Sequence, residues 1–284
     1  MITGSGNAQL KMVRSLFRSR EMRETSRAFA AEGQKIFEEA PEGDILAVYV
    51  SESFFSEHAD LLRGKGVRHA ENDQILRQDY ATGQIMRAAY EPKFAVVSDS
   101  RFEAVSDTKS PQGILTVLRP PVWEEERYLA KEAPLILAAE HLQDPGNAGT
   151  ILRTAEAAGA DAVYFTEDSA DILNPKVVRA TMGSLFRMPV FYVPSAPDLI
   201  AKLHTHGIRT YAAYLPGSTL YDEPDYKRGT AFLIGNESRG LTAETAEAAS
   251  QRIRIPMTEH INSLNAAMAA GILMYEAARQ RRSI

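Results

Sequence analysis

The 284-residue chain contains no cysteine. Disulfide bonds, thiolate nucleophiles and cysteine-ligated zinc or iron–sulfur sites are therefore excluded. The chain also has no stretch of roughly 18 apolar residues, the length that a membrane-spanning helix needs, and its first residues lack the apolar core of a signal peptide. These absences lead us to expect a cytoplasmic protein without a membrane partner.

Several short catalytic motifs are absent as well. There is no G-x-S-x-G, no P-loop and no H-E-x-x-H, so hydrolases and kinases have little support. His260 has no second histidine at metal-ligand spacing, and a structural or solvent-facing role is expected for it. Because the sequence offers no cluster of ligand residues, we expect no bound metal.

Charge is distributed unevenly along a chain of ordinary composition. Hydrophobic residues make up 44% and charged residues 24%, as in soluble globular proteins, and the net charge of −5 argues against an RNA binder that works by bulk charge. Basic residues nevertheless outnumber acidic ones between Lys11 and Lys35. An RNA-binding arm and a solvated helix face explain this cluster equally well. The candidates for RNA contact are Arg14, Arg18 and Arg20.

The apolar pattern divides the chain into two domains. Residues 1–120 combine a helical stripe at Leu10, Val13 and Phe17 with strand-like runs, which predicts a small α/β domain. Pro120-Pro121 and the charged stretch behind it indicate a linker over 121–134. The strand-like runs of the first domain are 45–50, 94–97 and 113–118.

From residue 135 to 284, strands and helices alternate in the way typical of a parallel sheet with helices on both faces. Ligands of such sheets collect beyond the carboxyl ends of the strands, so the loops there form the candidate site. The expected strands are 135–139, 162–165, 210–214, 231–234 and 252–255. The expected helices are 150–160 with Gly159 as its C-cap, 197–206, 242–250, and a long helix 263–282 capped by Ser263.

Two of these loops are rich in glycine and polar residues. The first, 144–150, leads to Arg153, whose guanidinium suits an RNA phosphate; an ordinary turn with a solvated arginine is the alternative. The second, 235–241, begins with a glycine that leaves bare backbone for a cofactor, followed by Asn236 and Glu237. A plain turn before the next helix is the alternative there.

The third loop, 255–271, ends in an unusual apolar run. After Asn265, nine residues carry no polar side chain, and most of them are small. A helix that is apolar all round is buried on all sides. Its small residues permit close backbone contact with the sheet or with a partner subunit.

Taken together, the order, spacing and sequence of the three loops resemble the motifs of the SpoU/TrmH family of RNA 2′-O-ribose methyltransferases, within the SPOUT superfamily. The matching stretches are DPGNAGTILRTAEAAG, FLIGNESRGL and IRIPMTEHINSLNAAMAA. FAAEGQKIFEEA and SDTKSPQGILTVL resemble the RNA-binding domain that accompanies many members. The resemblance implies the cofactor S-adenosylmethionine, a C-terminal parallel-sheet domain with a deep trefoil knot, and a homodimer formed through the knotted regions.

The same resemblance implies the roles of single residues. The arginine of the first motif is the family's main catalytic residue, and the glutamate of the second helps to order the site. Glu259 and Ala266-Ala267 depart from the usual third motif, near the cofactor pocket. The implied catalytic residues are Arg153, Asn147, Glu237, Ser263 and Asn265. The implied cofactor-binding residues are Gly235, Ile255, Leu264 and Asn236.

Several alternatives stay open at this point. Ribosomal RNA is the favoured substrate, because the paired N-terminal domain is usual for members that act on it, and transfer RNA is the alternative. A base methyltransferase of the same superfamily is another. The complete motif set argues against a non-catalytic RNA-binding or ribosome-assembly protein. The missing G-x-G-x-x-G fingerprint argues against a small-molecule enzyme. Arg153 either acts as a base or only orients the hydroxyl, since a guanidinium keeps its proton at ordinary pH.

Overall fold

The structure is a computed structural model that describes residues 2, 7–65, 93–260 and 263–282. The chain forms two compact units, Met1–Pro121 with Leu173–Phe186, and Val122–Ile172 with Arg187–Ile284. The segment Leu173–Phe186, which we expected in the C-terminal domain, belongs to the first unit because its helix packs on a strand there. Apart from this segment, the domain ranges 1–120, 121–134 and 135–284 stay a prediction.

The first unit contains a four-stranded sheet of order β1-β4-β2-β3. Strand β4 runs antiparallel to both neighbours, and β2 and β3 are parallel. The strands are β1 (Phe29–Glu32), β2 (Ile45–Ser51), β3 (Lys93–Val97) and β4 (Ile114–Leu118). The helices are α1 (Ala8–Arg18), α2 (Arg20–Ser26), α3 (Gln34–Glu39), α4 (Glu52–Gly64), α5 (Asp99–Val105) and, from the later segment, α8 (Pro175–Thr181). Leu10, Val13 and Phe17 are buried on α1, as their spacing predicts.

The second unit contains a seven-stranded sheet of order β7-β6-β5-β10-β8-β11-β9. Every pairing in it is parallel, which confirms the expected sheet. The knot implied by the resemblance stays a prediction. The strands are β5 (Leu135–Ala139), β6 (Ala162–Thr166), β7 (Val190–Val193), β8 (Arg209–Ala213), β9 (Thr219–Leu220), β10 (Thr230–Ile234) and β11 (Gln251–Arg254).

The helices of the second unit are α6 (Glu126–Leu129), α7 (Pro145–Ala158), α9 (Ala196–Thr205), α10 (Ala243–Ala248) and α11 (Ala266–Arg282). Helix α6 lies inside the segment expected as a linker, and its Leu129 is part of the unit's hydrophobic core. Helix α7 ends where predicted, with Gly159 as C-cap at φ 76°. This left-handed conformation favours glycine.

The start of α7 differs from the prediction. The helix begins at Pro145 rather than at Thr150, so all of the predicted first loop except Asp144 lies within the helix. The Asp144 carboxylate accepts a hydrogen bond from the backbone N–H of Asn147, at 2.7 Å, and a proline in the first turn has no N–H left unsatisfied. The helix therefore carries Asn147 close to the end of β5.

The start of α11 also differs, because Asn265 and not Ser263 caps it. Oδ1 of Asn265 accepts hydrogen bonds from the backbone N–H groups of Ala267 and Met268, at 2.9 and 3.1 Å. Within the single chain one face of this helix is open, so burial on all sides, which was expected against the sheet or a partner subunit, stays a prediction. Met268 and Tyr275 are exposed by 60% and 45%.

Within the ranges that the structure describes, no helix has the length and hydropathy of a membrane-spanning segment. The same ranges hold no group of three or more histidine, cysteine, aspartate or glutamate residues that could hold a metal ion.

Candidate active site

Two of the predicted loops, 235–241 and 255–271, line a pocket at the carboxyl edge of the second unit's sheet. The pocket has a volume of about 350 Å³, within the range of roughly 300–1,000 Å³ that is usual for small-ligand sites. Ala213, Ile234 and Arg254 line it, and they are the last residues of β8, β10 and β11. Neighbouring parallel strands explain this placement, because their carboxyl ends share one edge of the sheet.

Most of the predicted site residues lie at this pocket. The four residues predicted to bind a cofactor line it, as do two of the predicted catalytic residues, Glu237 and Ser263. Asn147 and Asn265 reach it through hydrogen bonds to Glu237 and to each other. The four lining residues predicted for the cofactor are Gly235, Asn236, Ile255 and Leu264.

A chain of side-chain hydrogen bonds joins the three predicted loops. Nδ2 of Asn147 donates to Oε1 of Glu237 at 3.0 Å, and Oδ1 of Asn147 accepts from Nδ2 of Asn265 at 2.8 Å. Because a carboxylate only accepts, the orientation of the Asn147 amide is fixed. The Asn147 residue is 8% exposed, and both of its polar side-chain atoms have partners, as a buried amide requires.

Glu237 is an ionised acceptor rather than a proton carrier. Besides Asn147, it accepts hydrogen bonds from the backbone N–H groups of Asp144 at 3.0 Å and Gln143 at 3.4 Å. Burial by itself raises the pKa of Glu237, but the hydrogen bonds from Asn147 and from backbone N–H groups outweigh it, so the pKa lies below its usual value. Its role in the geometry is to position Asn147 and the start of α7.

Asn236 holds the second loop in shape. Its Nδ2 donates to the carbonyl oxygen of His141 at 2.8 Å. Its Oδ1 accepts from the backbone N–H groups of Ser238 and Arg239, at 2.9 and 3.2 Å. Both ends of the Asn236 amide therefore take part in holding the loop.

The packing of its own loop requires a glycine at position 235. A Cβ at this position would lie 2.0 Å from the carbonyl carbon of Gly240 and 2.0 Å from the backbone nitrogen of Leu241. Asn236 and Gly240 exchange backbone hydrogen bonds across the loop, at 3.1 and 2.9 Å. The backbone of the loop therefore occupies the space in which a side chain at position 235 would lie.

Arg153 stands apart from this network. It is exposed on α7 and does not line the pocket. In the part of the chain that the structure describes, its side chain has no hydrogen bond and no ion pair. A guanidinium in this position is available to an anion from outside the chain.

A histidine–aspartate pair at the same sheet edge was not predicted. Nδ1 of His141 contacts the Asp168 carboxylate, whose other oxygen accepts from Oγ1 of Thr166 at 2.7 Å. His141 has φ 54°, a left-handed conformation that is uncommon outside glycine. The sequence gives no sign of this pair, because a positive φ and a partner 27 positions away arise only in the folded chain.

Sequence comparison assigns the family. The profile of the SpoU rRNA methylase family matches residues 134–275. The chain belongs to this family. The profile of an MRM3-like substrate binding domain matches residues 7–116. The family and the RNA methyltransferase class that the three motifs led us to expect are thereby confirmed.

Individual members support the assignment. An uncharacterized tRNA/rRNA methyltransferase of Synechocystis sp. is 36% identical over 187 residues, which cover 66% of this chain and 67% of the relative. The 23S rRNA (guanosine(2553)-2′-O)-methyltransferase RlmP of Bacillus subtilis is 37% identical over 180 residues, or 63% of this chain and 70% of the relative. The crystal structure of an AdoMet-bound rRNA methyltransferase from Sinorhizobium meliloti aligns with a TM-score of 0.79 at 27% identity, over 98% of this chain and 97% of that chain.

Proposed function

We propose that this chain transfers a methyl group from S-adenosylmethionine to a ribose 2′-hydroxyl of ribosomal RNA. RlmP is named for 2′-O-methylation of a guanosine in 23S rRNA, and the Sinorhizobium meliloti relative was crystallised with AdoMet. The observation that carries the proposal is the hydrogen-bonded chain Glu237–Asn147–Asn265, which assembles residues from all three family motifs beside one pocket.

The pocket fits the cofactor by size and by wall chemistry. Ile234, Ile253 and Leu264 supply apolar walls, which suit the flat adenine ring. Leu215 and Leu264 also line the pocket, yet they are exposed by 51% and 37%. Apolar side chains left open in this way are what a bound ligand covers. When bound, the cofactor supplies a methyl group that its positively charged sulfur already activates.

The protein's own task is then to place the ribose. Holding the reacting atoms in line contributes on the order of 7–11 kcal/mol in favourable reactions. Glu237 serves this task as a positioning residue, because its oxygens are occupied by N–H donors and its pKa is lowered. Asn147 and Asn265 transmit that position to the start of α11, next to Ser263 and Leu264 in the pocket wall.

Arg153 is the residue that we assign to the RNA. Its exposed guanidinium, which has no partner among the described residues, can bind a phosphate through two parallel hydrogen bonds. Because guanidinium groups are poor bases, its contribution is to orient the 2′-oxygen and to stabilise negative charge that develops there. This choice favours orientation over the role of a base.

The proposal includes a homodimer formed through α11. Met268 and Tyr275, seven positions apart and so on one helix face, are exposed by 60% and 45%. Apolar patches of this kind mark interaction sites. A Met268→Glu/Tyr275→Glu variant is expected to be monomeric by light scattering, whereas Val122→Glu, which changes a residue that is 92% exposed elsewhere, keeps the dimer. A monomeric wild type, or an unchanged double variant, would contradict this part of the proposal.

Methyl transfer to defined RNAs tests the proposed substrate. The purified protein is incubated with S-adenosylmethionine that carries a labelled methyl group, and with either 23S and 16S rRNA or a tRNA pool, all transcribed in vitro. We expect label in rRNA and not in tRNA. Label in tRNA alone would contradict the substrate, and label in neither RNA would contradict the activity.

A further inference from the structure

Helix α1 of the first unit carries basic side chains and no acidic ones. The first 20 residues of the chain contain no aspartate or glutamate. Lys11, Arg14 and Arg18 lie on α1 and are all exposed. Their spacing of three and four positions places them on one helix face. We call these three residues the α1 basic face.

The members of the α1 basic face differ from other basic residues of the predicted arm. In the described part of the chain, the side chains of Lys11, Arg14 and Arg18 make no hydrogen bond and no ion pair. By contrast, Arg20 pairs with Glu24 at 2.7 Å and Lys35 pairs with Glu39 at 2.7 Å, both four positions apart. The basic residues that form one cluster in the sequence thus belong to two groups in the structure, those with an ion-pair partner and those without. Arg20 belongs to the paired group.

Arg23 has a third kind of role, because it helps to hold α1 in place. It is 4% exposed, and its guanidinium donates to the carbonyl oxygen of Leu16 at 2.6 Å, near the carboxyl end of α1. The opposite face of α1 is buried through Leu10, Val13 and Phe17. The α1 basic face is therefore presented on a firmly packed helix.

The arrangement is unfavourable for the isolated helix, which points to an external partner. Arg14 and Arg18 are four positions apart, where like charges repel, and no acidic residue of α1 offsets them. The three cations lie within about 10 Å of each other along the helix axis, because the helix rises by roughly 1.5 Å per residue. A row of positive charges of this kind suits a ligand with several negative charges. A phosphate backbone supplies such a partner and rewards each contact by releasing bound counterions.

We propose that the α1 basic face docks the sugar–phosphate backbone of the RNA substrate, independently of its sequence. This inference rests on the proposed function, because it takes RNA to be the substrate. It adds a second contact area, on a different compact unit from the pocket, to the one that we assign to Arg153.

Two variants with the same loss of charge test the proposal. Arg14→Gln/Arg18→Gln removes the unpaired residues, and Arg20→Gln/Lys35→Gln removes paired ones from the same unit. Glutamine is as good a helix former as arginine or lysine, so both variants are expected to fold, with melting temperatures near that of the wild type. Binding of each full-length protein to transcribed 23S rRNA is measured by filter retention between about 50 and 200 mM salt.

We expect Arg14→Gln/Arg18→Gln to lower the salt slope of binding by about 2, roughly 1 for each lost phosphate contact. The matched control is expected to keep the wild-type slope, and both variants to bind S-adenosylmethionine as the wild type does. Equal slopes for the two variants would overturn the proposal, even if methyl transfer to rRNA is observed. Conversely, the expected difference in slope with no methyl transfer by the wild type would leave the α1 basic face standing and reject the proposed activity.

Discussion

Asn265 donates a hydrogen bond from its side-chain amide to Oδ1 of Asn147, at 2.8 Å and across 118 positions of the chain. Asn147 passes the constraint on to Glu237 at 3.0 Å, while Asn265 caps α11 with its other amide atom. One buried amide therefore couples the first turn of α7, the loop after β10 and the start of α11. A substitution of Asn147 is therefore expected to disturb all three segments.

Replacing Asn147 with aspartate keeps the shape of the side chain but turns its donor into an acceptor. Two carboxylates would then face each other across the 3.0 Å contact with Glu237, so one of them must take up a proton. We expect the unfolding free energy to fall by about 1–3 kcal/mol at neutral pH, with partial recovery on acidification. Urea denaturation at about pH 7 and pH 5 measures both effects.

The matched control for this change is Asn174→Asp. Oδ1 of Asn174 caps α8 by accepting a hydrogen bond from the backbone N–H of Lys176 at 3.0 Å, and aspartate fills this role equally well. We expect the control to change the unfolding free energy by less than about 0.5 kcal/mol. Equal losses in the two variants would mean that Asn147 is not the central link.

The lowered pKa of Glu237 makes a prediction about acid stability. Because the pKa in the folded chain lies below the ordinary value, the ionised form stabilises the fold. That contribution is complete above the unfolded pKa of about 4.3 and is lost as the pH falls through the folded value. We expect the wild type to be more stable than Glu237→Gln at neutral pH, with the difference in melting temperature shrinking below about pH 4. A difference that stays constant with pH would refute the assignment.

Much of the fold was accessible from the sequence because burial leaves a pattern. Strands β5, β6 and β10 are buried at every position, and they appear in the sequence as short continuous apolar runs. The predicted starts of α7 and α11 were both wrong, and for the same reason. Polar side chains, Asp144 for α7 and Asn265 for α11, set these boundaries through local hydrogen bonds, and an apolar pattern does not show them.

The site was predictable in its residues and not in its contacts. The motifs placed Glu237, Ser263 and Leu264 together, and all three line one pocket. The tight closure at Gly235 and the pairing of His141 with Asp168 depend on backbone geometry. The identity of a single residue does not predict that geometry.

Substituting Gly235 with alanine tests the closure of the second loop. The added Cβ would lie 2.0 Å from the backbone of Gly240 and Leu241, so the loop must open. We expect a loss of about 2 kcal/mol or more in unfolding free energy and at least tenfold weaker binding of S-adenosylmethionine by calorimetry. Gly43→Ala is the control, since nothing lies within 4 Å of a Cβ there. An alanine variant that binds like the wild type would show that the loop is free to adjust.

Removing the Arg153 guanidinium should affect the reaction alone. The side chain is exposed and makes no hydrogen bond or ion pair within the described ranges, so Arg153→Ala is expected to keep the melting temperature and the affinity for S-adenosylmethionine. We expect its methyl-transfer rate to fall by roughly 100-fold or more. Arg127→Ala, an exposed arginine on α6, is expected to react at the wild-type rate. Full turnover by the folded Arg153 variant would contradict its assigned role.

The position of the transferred methyl group tests the central claim most directly. Ribosomal RNA methylated by the wild type with labelled S-adenosylmethionine is digested to nucleosides, which are separated and identified by mass spectrometry. The proposed reaction predicts a single labelled nucleoside that carries the methyl group on its ribose 2′-oxygen, where it remains when the base is released. Label that leaves with the base would contradict the proposed reaction.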